Sequence, residues 1–307
     1  VGVYTLLRLW TLLFGDEAGD SAQFGALWLI SCGMATMVFG AIGMLGSQRL
    51  THLAGFAAIL SSGTLLAAAG FGQSLLTASL LYYLPSSTLA VSALFLLADL
   101  VDRWRNDGTN LAAYEQDDEA PFLDSELIPT QGLNLDDDEE VLIGRVIPAA
   151  AAFLGLAFML CTLVIAGLPP LSGFVGKVAM LTALLNPLGL GQSEGLPPSP
   201  LGWTLLALMI GTGLLALIAL TRSGIRHFWA SHGRATPPLK VLEGAPIALL
   251  LASCVALTVQ AGPVMHFTQA TAQALHAPAR YVHAVMSAIP LPNPSTMPLA
   301  SPPKEAP

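Results

Sequence analysis

Apolar residues in this chain gather in blocks of about twenty, without the three-and-four spacing of a surface helix or the alternation of a half-buried strand. A block of that length lets an α-helix cross a hydrocarbon core of about 30 Å. The blocks predict spans at 25–46, 53–72, 74–101, 201–221 and 244–263. Residues 146–187 hold two further apolar stretches, separated by GLPPLSG at 167–173, and read as one broken span. Pro85 is expected to interrupt the span 74–101. Polar segments divide the blocks: DEAGD at 16–20, SQRLTH at 47–52, a hydrophilic connection at 102–145, a Gly/Pro-rich turn at 188–200 and a basic loop at 222–243. The expected fold class is therefore all-α, a polytopic transmembrane bundle. In chain order it holds three spans over 25–101, an acidic loop at 102–145, the broken span, two spans over 201–263, and a tail at 264–307. The tail is expected to form an interfacial helix at 264–288 and then a disordered Pro-rich end. The opening VGVYTLLRLWTLLF is too short to span, lacks a basic leader and a cleavage site, and starts on Val1. It is expected to be the end of a truncated helix, so that residues 1–14 continue a missing upstream part.

Composition narrows the class. Only 10% of the 307 residues are charged and 54% are hydrophobic, against about 25% charged in a soluble domain. An ordinary cytosolic enzyme and a disordered chain are excluded. Twelve Lys plus Arg against twenty Asp plus Glu leave no basic surface for nucleic acid. Arg49, Arg103, Arg105, Arg145, Arg222, Arg226, Arg234 and Lys240 all fall in loops on one side, while the loops 15–24, 70–75 and 188–200 hold no Lys or Arg. By the positive-inside rule the basic side is cytoplasmic and the C-terminal tail lies outside, on the periplasmic face if the cell is Gram-negative. Segment 106–140 carries twelve acids and no base. It reads as a cation-attracting antenna or, preferably, as a solvated flexible loop. Cys32, Cys161 and Cys254 lie in apolar blocks and read as small packing residues. Gly40, Gly43 and Gly46 recur every three residues and suit close helix packing.

Lys177 carries the candidate chemistry. It sits in LSGFVGKVAML, ten residues before Pro187. At 1.5 Å per residue that is about 15 Å, half the hydrocarbon thickness. A charged lysine at such depth costs about 2.5–3.5 kcal/mol, and snorkelling is hard from there. Desolvation disfavours the charged form of an amine, so a lysine so placed can take up and release a proton during turnover. The break Gly167-Leu168-Pro169-Pro170-Leu171-Ser172-Gly173 precedes it. Two prolines remove two donors, and backbone freed at membrane depth is tolerated where it lines a cavity. Pro169, Pro170, Gly167, Ser172 and Gly173 are the candidate helix-break residues. His52, in RLTHLAGF, is a candidate proton shuttle or an interfacial histidine beside Arg49. Asp99 could accept protons; the preferred reading pairs it with Arg103 at i+4. Tyr82, Tyr83, Ser86, Ser87 and Thr88 put hydroxyls near Pro85, to order water or to bond within the bundle. There is no phosphate loop, dinucleotide fingerprint, CxxC or paired His at metal spacing. No cofactor is expected and no metal ligand can be named.

The stretch AGLPPLSGFVGKVAMLTALL at 166–185 resembles the broken twelfth helix of the antiporter-like subunits shared by Mrp-type multisubunit Na⁺/H⁺ antiporters and respiratory complex I. VGVYTLLRLWTLLF, LYYLPSSTLAVSALFLLADL and ATAQALHAPARYVHAVM together resemble the D-type subunits of the Mrp/Pha antiporters of Gram-negative bacteria. The likeness covers the chain apart from the acidic loop and the Pro-rich end. It implies a subunit of fourteen helices built on two inverted five-helix repeats, of which this chain would hold the end of helix eight, the second repeat and helix fourteen. Lys177 would be the ionisable residue of the second broken helix, and Arg49 and His52 would lie where the tenth begins. The implied activity is exchange of cytoplasmic Na⁺ or K⁺ for external protons by one subunit of a larger inner-membrane assembly, with other subunits and the lipid bilayer as partners and no enzymatic chemistry of its own. Relatives often carry His where Ser86 stands, so a relay there would use water. The lysine that relatives carry before GVY, and the glutamate and lysine of the first repeat, are absent from this chain, which is not expected to transport alone. The alternatives are a proton-translocating membrane subunit of an NADH-quinone oxidoreductase and a non-transporting scaffold.

Overall fold

The computed structural model describes residues 2–15, 18–117, 149–187, 189, 199–229 and 241–287. The acidic run from 118 onward, Arg145, Arg234, Lys240 and the Pro-rich end lie outside the described residues.

Every extended element described is helical: α1 (Gly2–Phe14), α2 (Ala26–Gly46), α3 (Leu50–Ala69), α4 (Ser74–Asp117), α5 (Ala149–Ala166), α6 (Ser172–Leu185), α7 (Pro200–Gly224), α8 (Val241–Val259), α9 (Ala261–His276) and α10 (Pro278–Met286). Six helical segments among the described residues are long and apolar enough to cross a membrane. The class is all-α and multi-pass, as the twenty-residue blocks require.

The α2–α3 hairpin is the most extensive helix contact among the described residues. In lipid no hydrophobic force drives helices together, so tight van der Waals contact must do so, and small residues permit it. A Cβ on Gly40 would lie 2.7 Å from the Leu60 nitrogen, and one on Gly63 would lie 2.6 Å from the Met37 nitrogen. Gly43 faces the Phe56 ring, whereas Gly46 has open space around it. The stripe read from the sequence therefore packs at two of its three glycines, and Gly33 and Gly63 complete the contact. Cys161 and Cys254 are buried as packing residues, but Cys32 is exposed on α2.

α4 is the central element and touches α3, α5, α6, α8 and α9. It is not interrupted at Pro85: one helix runs from Ser74 to Asp117. A proline removes a single ladder bond, and α4 is packed against five neighbouring helices. Ser87 and Thr88 donate their hydroxyls back to the Leu84 carbonyl at 3.1 and 2.6 Å. The helix also continues past residue 101 into the segment expected to be loop. The Asp99–Arg103 pair and good helix formers such as Leu111, Ala112 and Ala113 suit that extension.

Two other boundaries move. The turn at 47–52 shortens, so that His52 lies in the first turn of α3. The tail helix is two helices: Ala277 leaves the α region (φ −116°, ψ 68°), and Pro278 opens α10 where a missing N–H is harmless. α9 packs along α4, with the Thr77 hydroxyl and His276 Nε2 2.9 Å apart.

Arg103, Arg222 and Arg226 mark an arginine end of the bundle, where α2 and α7 finish and α8 begins. Arg222 and Arg226, at the end of α7 and in the π-helical turn Ile225–Trp229, bond the Leu45 carbonyl and the Gln48 side chain at the end of α2. Arg103 on α4 meets Asp99 at 3.1 Å and Glu243 of α8 at 3.3 Å.

The glycine contact is open to test. Gly40→Ala is expected to destabilise the protein by about 1–3 kcal/mol, because the new methyl meets backbone that cannot give way. Gly46→Ala is expected to leave the unfolding temperature unchanged or raised. Fluorescence-monitored thermal unfolding in detergent distinguishes the two.

Candidate functional site

The site begins with the hydrogen-bond ladder of α5. Gly167 takes a left-handed conformation (φ +78°), and Leu168 donates its N–H back to the Leu163 carbonyl at 2.9 Å, closing the helix in the manner of a Schellman end. In a continued helix the carbonyls of Ile165 and Ala166 would accept from the N–H groups of residues 169 and 170. Both are proline. The chain has therefore left two adjacent carbonyls without the donors their register calls for.

Lys177 supplies them. Its Nζ donates to the Ile165 carbonyl and to the Ala166 carbonyl, each at 2.9 Å. The geometry depends on small residues. A Cβ on Gly167 would lie 2.5 Å from Lys177 Cδ and 3.1 Å from Nζ, so the lysine stem runs over a bare backbone. Gly173 lets the first turn of α6 rest on the Val164 backbone, where a Cβ would be 2.8 Å from the carbonyl carbon. Gly213 brings α7 against the same place: a Cβ there would be 3.0 Å from the Ala166 oxygen and 3.7 Å from Nζ.

α6 enters from Leu171 in extended conformation (φ −90°, ψ 167°). Its first residue, Ser172, is fully buried and pairs with Ser86 of α4, Oγ to Oγ 2.8 Å. One turn on, Gly176 abuts Tyr83, whose Cα a Cβ would approach to 3.2 Å. α8 closes the group, with Cys254 Sγ 3.9 Å from the Ser86 carbonyl. Tyr82 donates its hydroxyl to the Leu257 carbonyl at 2.9 Å.

Among the described residues no carboxylate pairs with the ammonium. The ion pairs found among the described residues are both made by Arg103. What faces Lys177 is the carbonyl end of α5, where aligned peptide dipoles sum to about half a negative charge. Among the described residues no cluster of His, Cys, Asp or Glu could hold a metal ion.

Of the residues singled out in the sequence, Lys177, Gly167, Pro169, Pro170, Ser172 and Gly173 come together in this one construction. His52 is exposed in the first turn of α3 and has no part in it. Asp99 is exposed and paired with Arg103 at the arginine end. Ser87 and Thr88 bond their own helix. Sequence reasoning missed Gly213, Gly176 and the two acceptor carbonyls. The carbonyls carried a signal, since each lies four residues before a proline; Gly213 carried none beyond one more glycine in an apolar run.

The described residues thus form a multi-pass helical bundle with one span broken by prolines and a lysine bound to the break. No family model matches the chain. It is 43% identical over 288 residues to a protein of Rhizobium meliloti (strain 1021) described as the probable D-type subunit of a K(+)/H(+) antiporter. That match covers 94% of this chain and 51% of the relative, so the chain spans about half the relative's length. In fold it is similar to a chain in the structure of the Mrp complex from Dietzia sp. DQ12-45-1b (TM-score 0.58, 20% identity, 88% of this chain and 25% of that one). It is equally similar to a chain of respiratory complex I from Thermus thermophilus (TM-score 0.58, 20% identity, 89% of this chain and 50% of that one). The chain is thus similar in sequence to about half of that subunit and in fold to chains of both complexes.

The serine pair is expected to couple α4 to α6. A double-mutant cycle on Ser86→Ala and Ser172→Ala, read by denaturant unfolding in detergent, should give an interaction energy of about 0.6 kcal/mol, and no more than about 1.7.

Proposed function

We propose that this chain is part of a membrane subunit of a multisubunit monovalent cation/proton antiporter in a bacterial cytoplasmic membrane, and that Lys177 carries protons within it. The observation that supports this best is the seat of Lys177 on the Ile165 and Ala166 carbonyls, both at 2.9 Å. An ammonium has three N–H donors and a neutral amine has two. Two acceptors are therefore satisfied by either form, and a proton can leave without orphaning a buried carbonyl. A lysine tied to a carboxylate would lack that property, because losing the proton would strand the anion.

The exchanged ions are protons and K⁺ or Na⁺. The relative's description as part of a K(+)/H(+) antiporter favours this reading over its runner-up, a proton-translocating subunit of a redox-driven quinone reductase. Other subunits of the assembly and the lipid bilayer are the partners. In this reading Ser86 and Ser172 hold water beside α6, Pro169 and Pro170 keep the break open, and His52 passes protons between the arginine end and bulk water. Asp99 serves there through its pair with Arg103.

Lys177→Ala in the complete complex, reconstituted in liposomes, is expected to reduce cation-dependent proton flux at least tenfold while the subunits still co-purify. Full flux in that variant would leave the chain a scaffold. Co-purification with flavin and iron–sulfur subunits would favour the quinone-reductase reading.

A further inference from the structure

The two carbonyls that hold Lys177 are also the chemistry by which proteins bind a dehydrated monovalent cation. Alkali ions prefer uncharged backbone oxygens at the carbonyl ends of interrupted helices, because those oxygens replace hydration at little electrostatic penalty. The Ile165 and Ala166 oxygens are adjacent, have no backbone donor in register, and point at one positive charge at 2.9 Å. That charge is the ammonium of the chain's own lysine, a group close to K⁺ in size and identical to it in charge. The walls around it are bare: Gly167 leaves the lysine stem free of a neighbouring methyl, and Gly213 leaves the space beside the Ala166 oxygen open.

We propose that this carbonyl pair is a binding site for a monovalent cation of the K⁺ or Na⁺ class, and that Lys177 is a tethered occupant which must vacate it before the cation enters. The proposal rests on the antiporter reading and extends it by assigning the cation, as well as the proton, to this subunit at a shared place. Occupancy by one positive charge at a time follows from the geometry. Among the described residues Nζ has these two oxygens as acceptors and no anion beside it, so a second cation would meet the ammonium within a few ångströms. The elements packed against α6 bring no charge to the seat. Among the described residues, α4 abuts α6 with Tyr83 and α7 meets the seat with Gly213; Arg222 of α7 bonds the Leu45 carbonyl, and Asp99, Arg103 and Glu243 are occupied with one another at the arginine end. Water would supply the remaining ligands.

The experiment measures equilibrium binding of radioactive Rb⁺ to the purified complete complex, with choline holding ionic strength constant. Removing the tethered occupant in Lys177→Ala is expected to lower the half-saturating Rb⁺ concentration at least tenfold relative to the natural protein. Adding Gly213→Ala to that variant places a methyl 3.0 Å from the Ala166 oxygen and is expected to abolish the gain. Equal Rb⁺ binding with and without Lys177, or a gain that survives Gly213→Ala, would overturn the proposal. If Lys177→Ala prevents assembly, Gly213→Ala alone is expected to raise the half-saturating K⁺ concentration for transport about tenfold, and an unchanged value would overturn it. The antiporter reading is judged separately. Loss of flux in Lys177→Ala together with unchanged Rb⁺ binding sinks the cation site and leaves the proton carrier standing; full flux sinks the reading itself.

Discussion

Two prolines in succession decide the rest of this structure. Each deletes one N–H from the register of α5, and the deletions fall on neighbouring carbonyls that lie away from water. A buried carbonyl without a donor is costly, so a donor must come from elsewhere. Lys177 provides both bonds from a single nitrogen. The lysine needs the same arrangement. An ammonium with no carboxylate partner among the described residues is tolerated because the carbonyl end of a helix faces it. Each half of the break supplies what the other lacks, and bare backbone at Gly167, Gly173 and Gly213 lets them meet.

Much of this was legible in the sequence, and the reason is physical. A membrane helix must satisfy its own backbone, so its length is set by the bilayer and appears directly as a block of apolar residues. The polytopic class followed from that constraint, and a cation in one such block was conspicuous because charge there is expensive. Pro85 was a harder case. A lone proline reads as an interruption, yet α4 passes through it, since one lost bond in a helix held by several neighbours is a small perturbation. The pair Pro169–Pro170 differs because it empties two adjacent bonds and is followed by Leu171 in extended conformation.

What stayed hidden was tertiary. Gly46 stands in the same stripe as Gly40 and Gly43 but has nothing opposite it, and no one-dimensional pattern separates them. Gly213 was one glycine among many until α7 was seen against the Ala166 oxygen. The partner of Ser86 is Ser172, 86 residues away; only the meeting of α4 with the first turn of α6 joins them. The end of α4 was misjudged for another reason. Its last turns leave the apolar block, and hydropathy marks where a membrane stops rather than where a helix does.

α4 has a mechanical consequence. It is one unbroken rod, and it holds α9 through Thr77, α8 through Tyr82 and Arg103, and α6 through Ser86. The first turn of α6 thus leans on a helix whose other bonds to its neighbours lie on both sides of Ser86, at Thr77 and Tyr82 and at Arg103.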